Sequence, residues 1–126
     1  MTLPPRNYGN RNRTARLERP TYRKWIRTFR CACWGNPHGP CDIDHGVEAA
    51  HYRSAENAGM GMKPSDFWLI PLCRFHHAEQ HRIGQPAFEA RYGFSMREKA
   101  LEFALSPKNS DGAIKAAAKA FLAERL

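Results

Sequence analysis

The stretch "LCRFHHAEQH", residues 72–81, gathers one cysteine and three histidines within ten positions. The surrounding run at 74–83 has the composition of a helix. On that helix, His77 and His81 lie four residues apart on one face, so they can bind one metal ion together. Adjacent helical residues point about 100° apart, so we expect His76 to serve a different site.

His76 lies three residues after Cys73, and this C-x-x-H spacing is that of a zinc knuckle, in which a turn brings two ligands to one ion. A tetrahedral zinc requires two further ligands, and the loop at 31–41 supplies three thiolates. We therefore expect a structural zinc on Cys73, His76, Cys41 and one of Cys31 or Cys33, with the other member of that pair surplus. The sequence leaves open whether a nearby side chain also contributes, namely His38, Asp42, Asp44 or His45.

Two apolar segments predict the strands that would position a further histidine. "VEAAHYR" (47–53) and "FWLIPLC" (67–73) are typical of strands, and Pro71 places the second at a sheet edge or at its own end. Pairing of the two would aim His51 towards the helix of the histidine pair. A neutral histidine that faces a metal can take a proton from water while the metal stabilises charge on a phosphate and its leaving oxygen. The constellation therefore predicts a hydrolytic site.

Two other functions of clustered metal ligands fit the sequence less well. A zincin protease needs a glutamate directly after the first helical histidine, and Ala78 occupies that position. A redox or metal sensor built on Cys31 and Cys33 would leave His51 and the helical histidine pair without a function. A protease is therefore excluded, and a sensor is disfavoured.

The flanking segments predict helices that would pack around this centre. "PTYRKWIRTFR" (20–30) predicts a short amphipathic helix, and 87–105 predicts one or two helices interrupted near Gly93. The last segment begins with Ser110 or Asp111 as the helix N-cap. Its apolar stripe is formed by Ile114, Ala117, Ala118, Phe121 and Leu122. Together with the strands, these helices predict an α+β fold.

The net charge of +8 is concentrated at the N-terminus. Residues 1–30 hold nine basic residues and one acid, whereas the rest of the chain has 11 of each and is neutral. Residues 1–19, rich in Arg, Asn, Pro and Gly, predict a disordered basic arm. Such an arm suits a polyanion, most often nucleic acid, and a solvated tail that only aids solubility is the alternative. The candidate DNA contacts are Arg11, Arg13, Arg16, Arg19 and the loop residue Lys63.

The N-terminal segment lacks the apolar stretch of a secretory signal, and no apolar run reaches the roughly 20 residues of a membrane span. We therefore expect a cytoplasmic protein without a membrane partner. Cytoplasmic thiols stay reduced, so the four cysteines favour a metal site over disulfides.

Two segments of the chain resemble a known family. "EAAHYR" (48–53) and "GMGMKPSDFWLIPLCRFHHAEQH" (59–81) are similar to the HNH (ββα-metal) endonucleases, particularly their small phage and prophage group. The phage recombination-enhancement nuclease Ref is a more distant likeness. The resemblance covers about residues 31–85 and is most specific in its second half. It implies a treble-clef-like β-hairpin and helix with a structural zinc, packed by flanking helices.

The resemblance also implies residue roles. His51 matches the general base of the family. His77 and His81 match helical ligands of a catalytic divalent ion, for which Mg²⁺, Mn²⁺, Ni²⁺ and Zn²⁺ are the candidates. Cys73 and His76 match the zinc knuckle, with His76 in place of the usual second cysteine.

Two positions depart from the family pattern. Many members place a metal-binding Asp or His directly before the base, where this chain has Ala50. The catalytic ion would then have two protein ligands with water and phosphate, or recruit a third ligand from elsewhere. Trp68 stands at the spacing of the family's central Asn. Asp66 is the candidate substitute, either orienting His51 or reaching the metal.

The sequence therefore predicts a flexible basic arm at 1–19 and a single nuclease domain at 20–126, with the motif core at 31–85 and C-terminal helices at 87–126. The expected activity is metal-dependent hydrolysis of DNA phosphodiester bonds, with His51 as general base. The alternative is a non-catalytic zinc-binding module that binds DNA. The oligomeric state stays open.

Overall fold

The structure, a computed structural model, describes residues 16–54 and 63–125. Within these ranges the chain has an α+β fold in which a two-stranded antiparallel sheet packs with five α-helices, so the α+β class that the sequence predicted is confirmed. The strands are β1 (Val47–His51) and β2 (Leu69–Cys73). The helices are α1 (Pro20–Ile26), α2 (Arg74–Ile83), α3 (Gln85–Tyr92), α4 (Met96–Leu105) and α5 (Gly112–Ala123). None of these helices combines the length and apolar character that crossing a bilayer requires.

The hairpin register places His51 opposite Leu69 at one end of the sheet. The second strand starts two residues later than its apolar run, because Asp66–Trp68 forms a 3-10 turn. Pro71 is tolerated in mid-strand because each strand of a two-stranded sheet has a free edge. The carbonyl of Pro71 accepts a hydrogen bond from Ala32 N at 2.8 Å. The cysteine-rich loop thus covers that edge.

The C-terminal helices close the core over the 3-10 turn. Trp68 meets Phe121 edge-on with ring centres 4.7 Å apart, and Ile114 is fully buried. Asp111 is the N-cap of α5, accepting bonds from the backbone N–H groups of the first helical turn, which confirms one of the two predicted caps. Gly93 ends α3 at φ +73°, a left-handed conformation that suits glycine. The predicted interruption there is confirmed.

The segment before α1 is held against the start of the 3-10 turn. Leu17 N donates to Ser65 Oγ at 2.9 Å, and Asp66 N donates to the Leu17 carbonyl at 2.8 Å. The last four residues of the predicted arm are therefore part of the folded unit, and residues 1–15 lie outside the described ranges. Helix α1 itself ends at Ile26, shorter than the 20–30 segment that predicted it.

Candidate metal centre and histidine site

Four donor atoms converge at the junction of the cysteine-rich loop and α2. Among the described residues, the thiolates of Cys31, Cys41 and Cys73 and Nδ1 of His76 form the only group of three or more candidate ligands within 4.8 Å of one another. His76 Nδ1 lies 3.5, 3.7 and 3.1 Å from the three sulfur atoms, in that order. A tetrahedral zinc would separate sulfur and nitrogen ligands by about 3.5 Å. These residues could therefore hold a metal ion, and the donor set fits zinc.

Cys33, the surplus member of the predicted pair, lies next to this group without joining it. Its backbone N–H and its thiol both donate to Cys31 Sγ. The bond from the Cys33 thiol lowers the pKa of Cys31 to about 4, which outweighs the opposing effect of burial. The same bond raises the pKa of Cys33 itself. Cys33 is thus placed to donate to the sulfur of Cys31 rather than to join the metal group.

Cys73 joins the metal group to α2. It is the N-cap of that helix, and its Sγ accepts from His76 N at 3.4 Å and from Asp42 N at 3.4 Å. Thiolates are stabilised by N–H donors and by the positive end of a helix dipole. Burial raises the pKa of Cys41 to about 12, so this position needs a cation to become a thiolate. The group therefore fixes where α2 begins and in which direction it runs.

The buried ring of His76 is held by α3. It packs nearly perpendicular to the Tyr92 ring, with ring centres 4.9 Å apart. Tyr92 donates to the buried Glu79 carboxylate, which also accepts from Arg91 Nε at 3.2 Å. Burial and the bond to Glu79 raise the pKa of Tyr92 to about 12. His76 Nε2 is buried without a hydrogen-bond partner in the described ranges, which leaves Nδ1 as the nitrogen directed at the thiolates.

His51 and Asp66 are brought together as the sequence suggested. Asp66 is fully buried, and its Oδ1 lies 3.1 Å from His51 Nε2. Its Oδ2 accepts from Arg19 N at 2.7 Å and from Arg23 Nε at 3.0 Å. Burial raises the pKa of Asp66, but the donors from His51, Arg19 and Arg23 outweigh burial, and the net pKa is lowered. An ionised Asp66 requires a proton on Nε2, so the lone pair of His51 is on Nδ1.

His77 and His81 share one face of α2, with ring centres 5.0 Å apart and planes inclined by 51°. His77 Nδ1 lies 2.7 Å from Oε1 of Glu48 on β1, a partner that the sequence analysis missed. Burial, followed by the charges of His77 and Arg53, lowers the pKa of His81. Within the described ranges no third donor joins these two histidines at ligand spacing.

A glutamine pair clamps the end of β1 to α2. Gln80 Nε2 donates to the His51 carbonyl and to Gln85 Oε1, each at 2.9 Å. Gln85 Oε1 also accepts from Arg53 N at 3.2 Å. Arg53 and His81 line one shallow cleft with these glutamines. Residues two apart in an extended segment point to the same face, so Arg53 shares a face with His51. This period of two was the sequence signal that could have identified Arg53 as a site residue.

The predicted DNA contacts fall into two groups. Arg11 and Arg13 lie outside the described residues. Arg16 forms an ion pair with Glu18 and donates to the Lys63 and Pro64 carbonyls, and Arg19 forms an ion pair with Asp111 at 2.9 Å. Lys63 is exposed. Arg16 and Arg19 are therefore engaged with the protein itself, because folding of residues 16–19 directs their side chains to internal partners.

Comparison with known proteins places the chain in a family. The family described as "Protein of unknown function (DUF968)" matches residues 2–107, a range that contains both the metal group and the His51–Asp66 pair. The uncharacterized protein YdfU of Escherichia coli (strain K12) is 35% identical over 89 residues, which are 71% of this chain and 23% of that protein. The chain thus spans less than a quarter of that relative's length. No solved structure matches the chain. The chain belongs to the DUF968 family of proteins of unknown function.

Proposed function

We propose that this protein is a metal-dependent endonuclease of the HNH type that hydrolyses DNA phosphodiester bonds. The observation that supports this proposal best is the His51–Asp66 pair at the end of a hairpin strand that runs beside the helix carrying His77 and His81. A base held by a buried carboxylate beside a pair of imidazole ligands suits metal-assisted hydrolysis.

Two metal ions belong to this proposal. The knuckle of Cys31, Cys41, Cys73 and His76 would hold a structural zinc, for which the donor set and spacing are suited. His77 and His81 would hold a divalent ion, and Mg²⁺, Mn²⁺, Ni²⁺ and Zn²⁺ are the candidates, with imidazole favouring the last two. When bound there, that ion supplies stabilisation of the charge that develops on the phosphate and on the departing oxygen.

Glu48 acts in this proposal as a positioning residue for His77. Its Oε1 is 2.7 Å from Nδ1, so an ionised Glu48 holds a proton on Nδ1 and leaves the Nε2 lone pair for the metal. Carboxylates commonly fix metal-binding histidines in this way and raise the basicity of the imidazole. Glu48 thereby compensates in part for Ala50, which offers no ligand.

His51 provides the base in the hydrolytic step. Its Nδ1 takes a proton from a water molecule while the water oxygen attacks phosphorus in line with the 3′ oxygen. The bond from phosphorus to the 3′ oxygen breaks, that oxygen is protonated from solvent, and the product keeps a 5′ phosphate. Asp66 accepts from Nε2 throughout and stabilises the imidazolium that forms.

Arg53 places a positive charge in the cleft, in addition to the charge of the proposed divalent ion. It lines the same cleft as His81, and no carboxylate of the described residues forms an ion pair with its guanidinium. A cation on the histidine pair would repel Arg53 unless an anion lies between them. A phosphodiester bound there would satisfy both charges, and Arg is well suited to phosphate oxygens.

Cleavage of a plasmid with added divalent ion tests the proposal. We expect His51→Ala to slow cleavage by about 10²- to 10⁴-fold, the usual contribution of a general base. Glu102→Gln, a change on the exposed face of α4, is the matched control and should cleave as the wild type does. Equal cleavage by wild type and His51→Ala would remove His51 as the base.

The second candidate function is a zinc-binding module that binds DNA without cutting it. The observation in its favour is Ala50, which is fully buried at the position where the resembling nucleases carry a metal ligand. In that case neither wild type nor His51→Ala would cleave with any of the four ions, while both would retain zinc and bind DNA.

A further inference from the structure

The cysteine-rich loop exposes two large apolar side chains that the proposed hydrolytic site does not use. Trp34 is 52% exposed and Ile43 is 76% exposed. Both line the same two recesses on the surface, one beside Val47 and one beside Pro40. We call Trp34 and Ile43, with the recesses between them, the knuckle platform. Single exposed apolar side chains are normal on a protein surface. Two large ones that line the same recesses mark an interaction surface.

Hydrogen bonds to candidate metal ligands position the knuckle platform. Trp34 N donates to the Cys31 carbonyl at 2.9 Å. This hydrogen bond closes a turn that begins at the candidate ligand Cys31 and ends at Trp34. Ile43 follows Cys41 by two residues, and the intervening Asp42 N donates to Cys73 Sγ. A flat ring presented on a fixed turn loses little entropy when a second ring stacks on it.

The charge beside the platform is basic. The guanidinium of Arg30 lies 5.1 Å from the centre of the Trp34 ring. Arg30 lines one of the recesses, is exposed, and forms no ion pair with a carboxylate of the described residues. Asp42 is the acid that lines the same recess, and its carboxylate already accepts from Asp44 N and pairs with His45. A suitable occupant therefore combines flat apolar rings with a negatively charged backbone.

Single-stranded nucleic acid has this combination of properties. Bases in a duplex are covered by their neighbours, whereas an unpaired base has a free face that stacks on an aromatic side chain. Basic side chains that flank the aromatic ring then contact the phosphates. A protein partner would supply apolar side chains as well, but the guanidinium of Arg30, which has no carboxylate partner among the described residues, favours the nucleic acid.

We propose that the knuckle platform binds an unpaired base of the substrate, with Arg30 on an adjoining phosphate. The inference rests on the proposed nuclease function and narrows its substrate class to DNA that contains a single-stranded segment. The zinc knuckle then has a second task besides folding, because it presents the ring on which the base stacks.

The test is direct binding of a fluorescent oligothymidylate and of a blunt duplex of equal length, measured by anisotropy in the His51→Ala background without added divalent ion. We expect Trp34→Ala to weaken binding of the single strand by about 5- to 150-fold, the usual effect of losing one stacked base. Trp34→Phe should keep most of the affinity, and duplex binding should change little. Phe75→Ala, which removes an exposed aromatic ring outside both recesses, is the matched control and should bind as its parent does.

Unchanged binding of the single strand by Trp34→Ala would overturn the inference and leave the platform to a protein partner. An equal loss for single strand and duplex would also overturn it. The two proposals fail separately. If single-strand binding depends on Trp34 but the protein cleaves no DNA, only the nuclease proposal is refuted. If the protein cleaves DNA but its single-strand binding does not depend on Trp34, only the platform proposal is refuted.

Discussion

Asp66 is the residue on which the geometry of His51 depends. It is fully buried and receives hydrogen bonds from two segments that precede β1, through Arg19 N and Arg23 Nε. The ring of His51 is therefore oriented by a carboxylate that is itself fixed on its other oxygen. A carboxylate so surrounded is ionised at neutral pH, because its donors favour the charged form.

Asp66→Asn should reduce cleavage by at least about 10-fold while zinc content is retained. The amide keeps the size of the side chain but has one acceptor oxygen in place of two. Its NH2 group would therefore face either His51 or Arg23, each of which is itself a donor. Removing one partner of a buried charged pair also destabilises the fold, by about 3 kcal/mol. Cleavage rate and urea unfolding of the variant measure the two effects, and wild-type cleavage by Asp66→Asn would exclude an orienting role.

The pH dependence of stability provides an independent check on the ionised state of Asp66. Its pKa is lower in the folded protein than in the unfolded chain, so its contribution is present above the unfolded value of about 3.9 and is lost as the pH falls through the folded value. The stability advantage of wild type over Asp66→Asn should therefore persist from about pH 8 to about pH 5 and shrink below about pH 4. A difference that shrinks near neutral pH would contradict this, and thermal unfolding across the range decides.

Helix α2 and strand β1 form the element pair that assembles the site. Two hydrogen bonds tie them together: Glu48 to His77 at one end, and Gln80 to the His51 carbonyl further along. Arg53, two residues beyond β1, lines a cleft with His81 of α2. The histidine pair and His51 are thus held on two elements whose relative position is fixed by side-chain hydrogen bonds.

Glu48→Gln tests this coupling at the level of the element pair. Loss of the carboxylate should weaken binding of the divalent ion by about 10- to 100-fold, as expected for a partner of a metal-binding histidine. The ion concentration that gives half-maximal cleavage should rise accordingly, whereas the structural zinc and the unfolding midpoint should change little. An unchanged ion requirement would show that Glu48 does not act on His77.

The elements were more predictable from the sequence than the contacts between them. Helix α2 has the bounds 74–83 that its composition indicated, and Gly93 and Asp111 mark the ends that their backbone preferences indicated. These features depend on neighbouring residues. The strand before α2 starts late because Asp66 is drawn into a 3-10 turn by partners about 45 positions away, which no local pattern reports.

The candidate site shows the same division. Spacing alone assigned Cys73 and His76 to one site and His77 with His81 to another, because helix geometry separates adjacent residues. The choice between Cys31 and Cys33 required the fold, since two cysteines in a C-x-C pair differ only in which one the turn directs at His76. Glu48 was missed because its partner His77 lies 29 residues away in sequence.

At the scale of the whole molecule, the metal group links the cysteine-rich loop, the hairpin and α2. Cys31 and Cys41 come from the loop, while Cys73 ends β2 and His76 lies in the first turn of the helix. An ion bound there would connect segments that are about 40 residues apart in the chain. Binding free energy at such a site contributes directly to folding free energy. Both the knuckle platform and the helical histidines depend on it for their positions.

Cys31→Ser and Cys33→Ser form a matched pair that tests this dependence. Both cysteines are buried and two residues apart, yet only Cys31 belongs to the metal group. We expect Cys31→Ser to lose bound zinc and to unfold at markedly lower temperature, because three ligands hold the ion more weakly than four. Cys33→Ser should keep one zinc per chain and lose only about 1 kcal/mol, the usual effect of one altered hydrogen bond. Metal analysis and thermal unfolding distinguish the two, and zinc loss confined to Cys33→Ser would reverse the assignment of the fourth ligand.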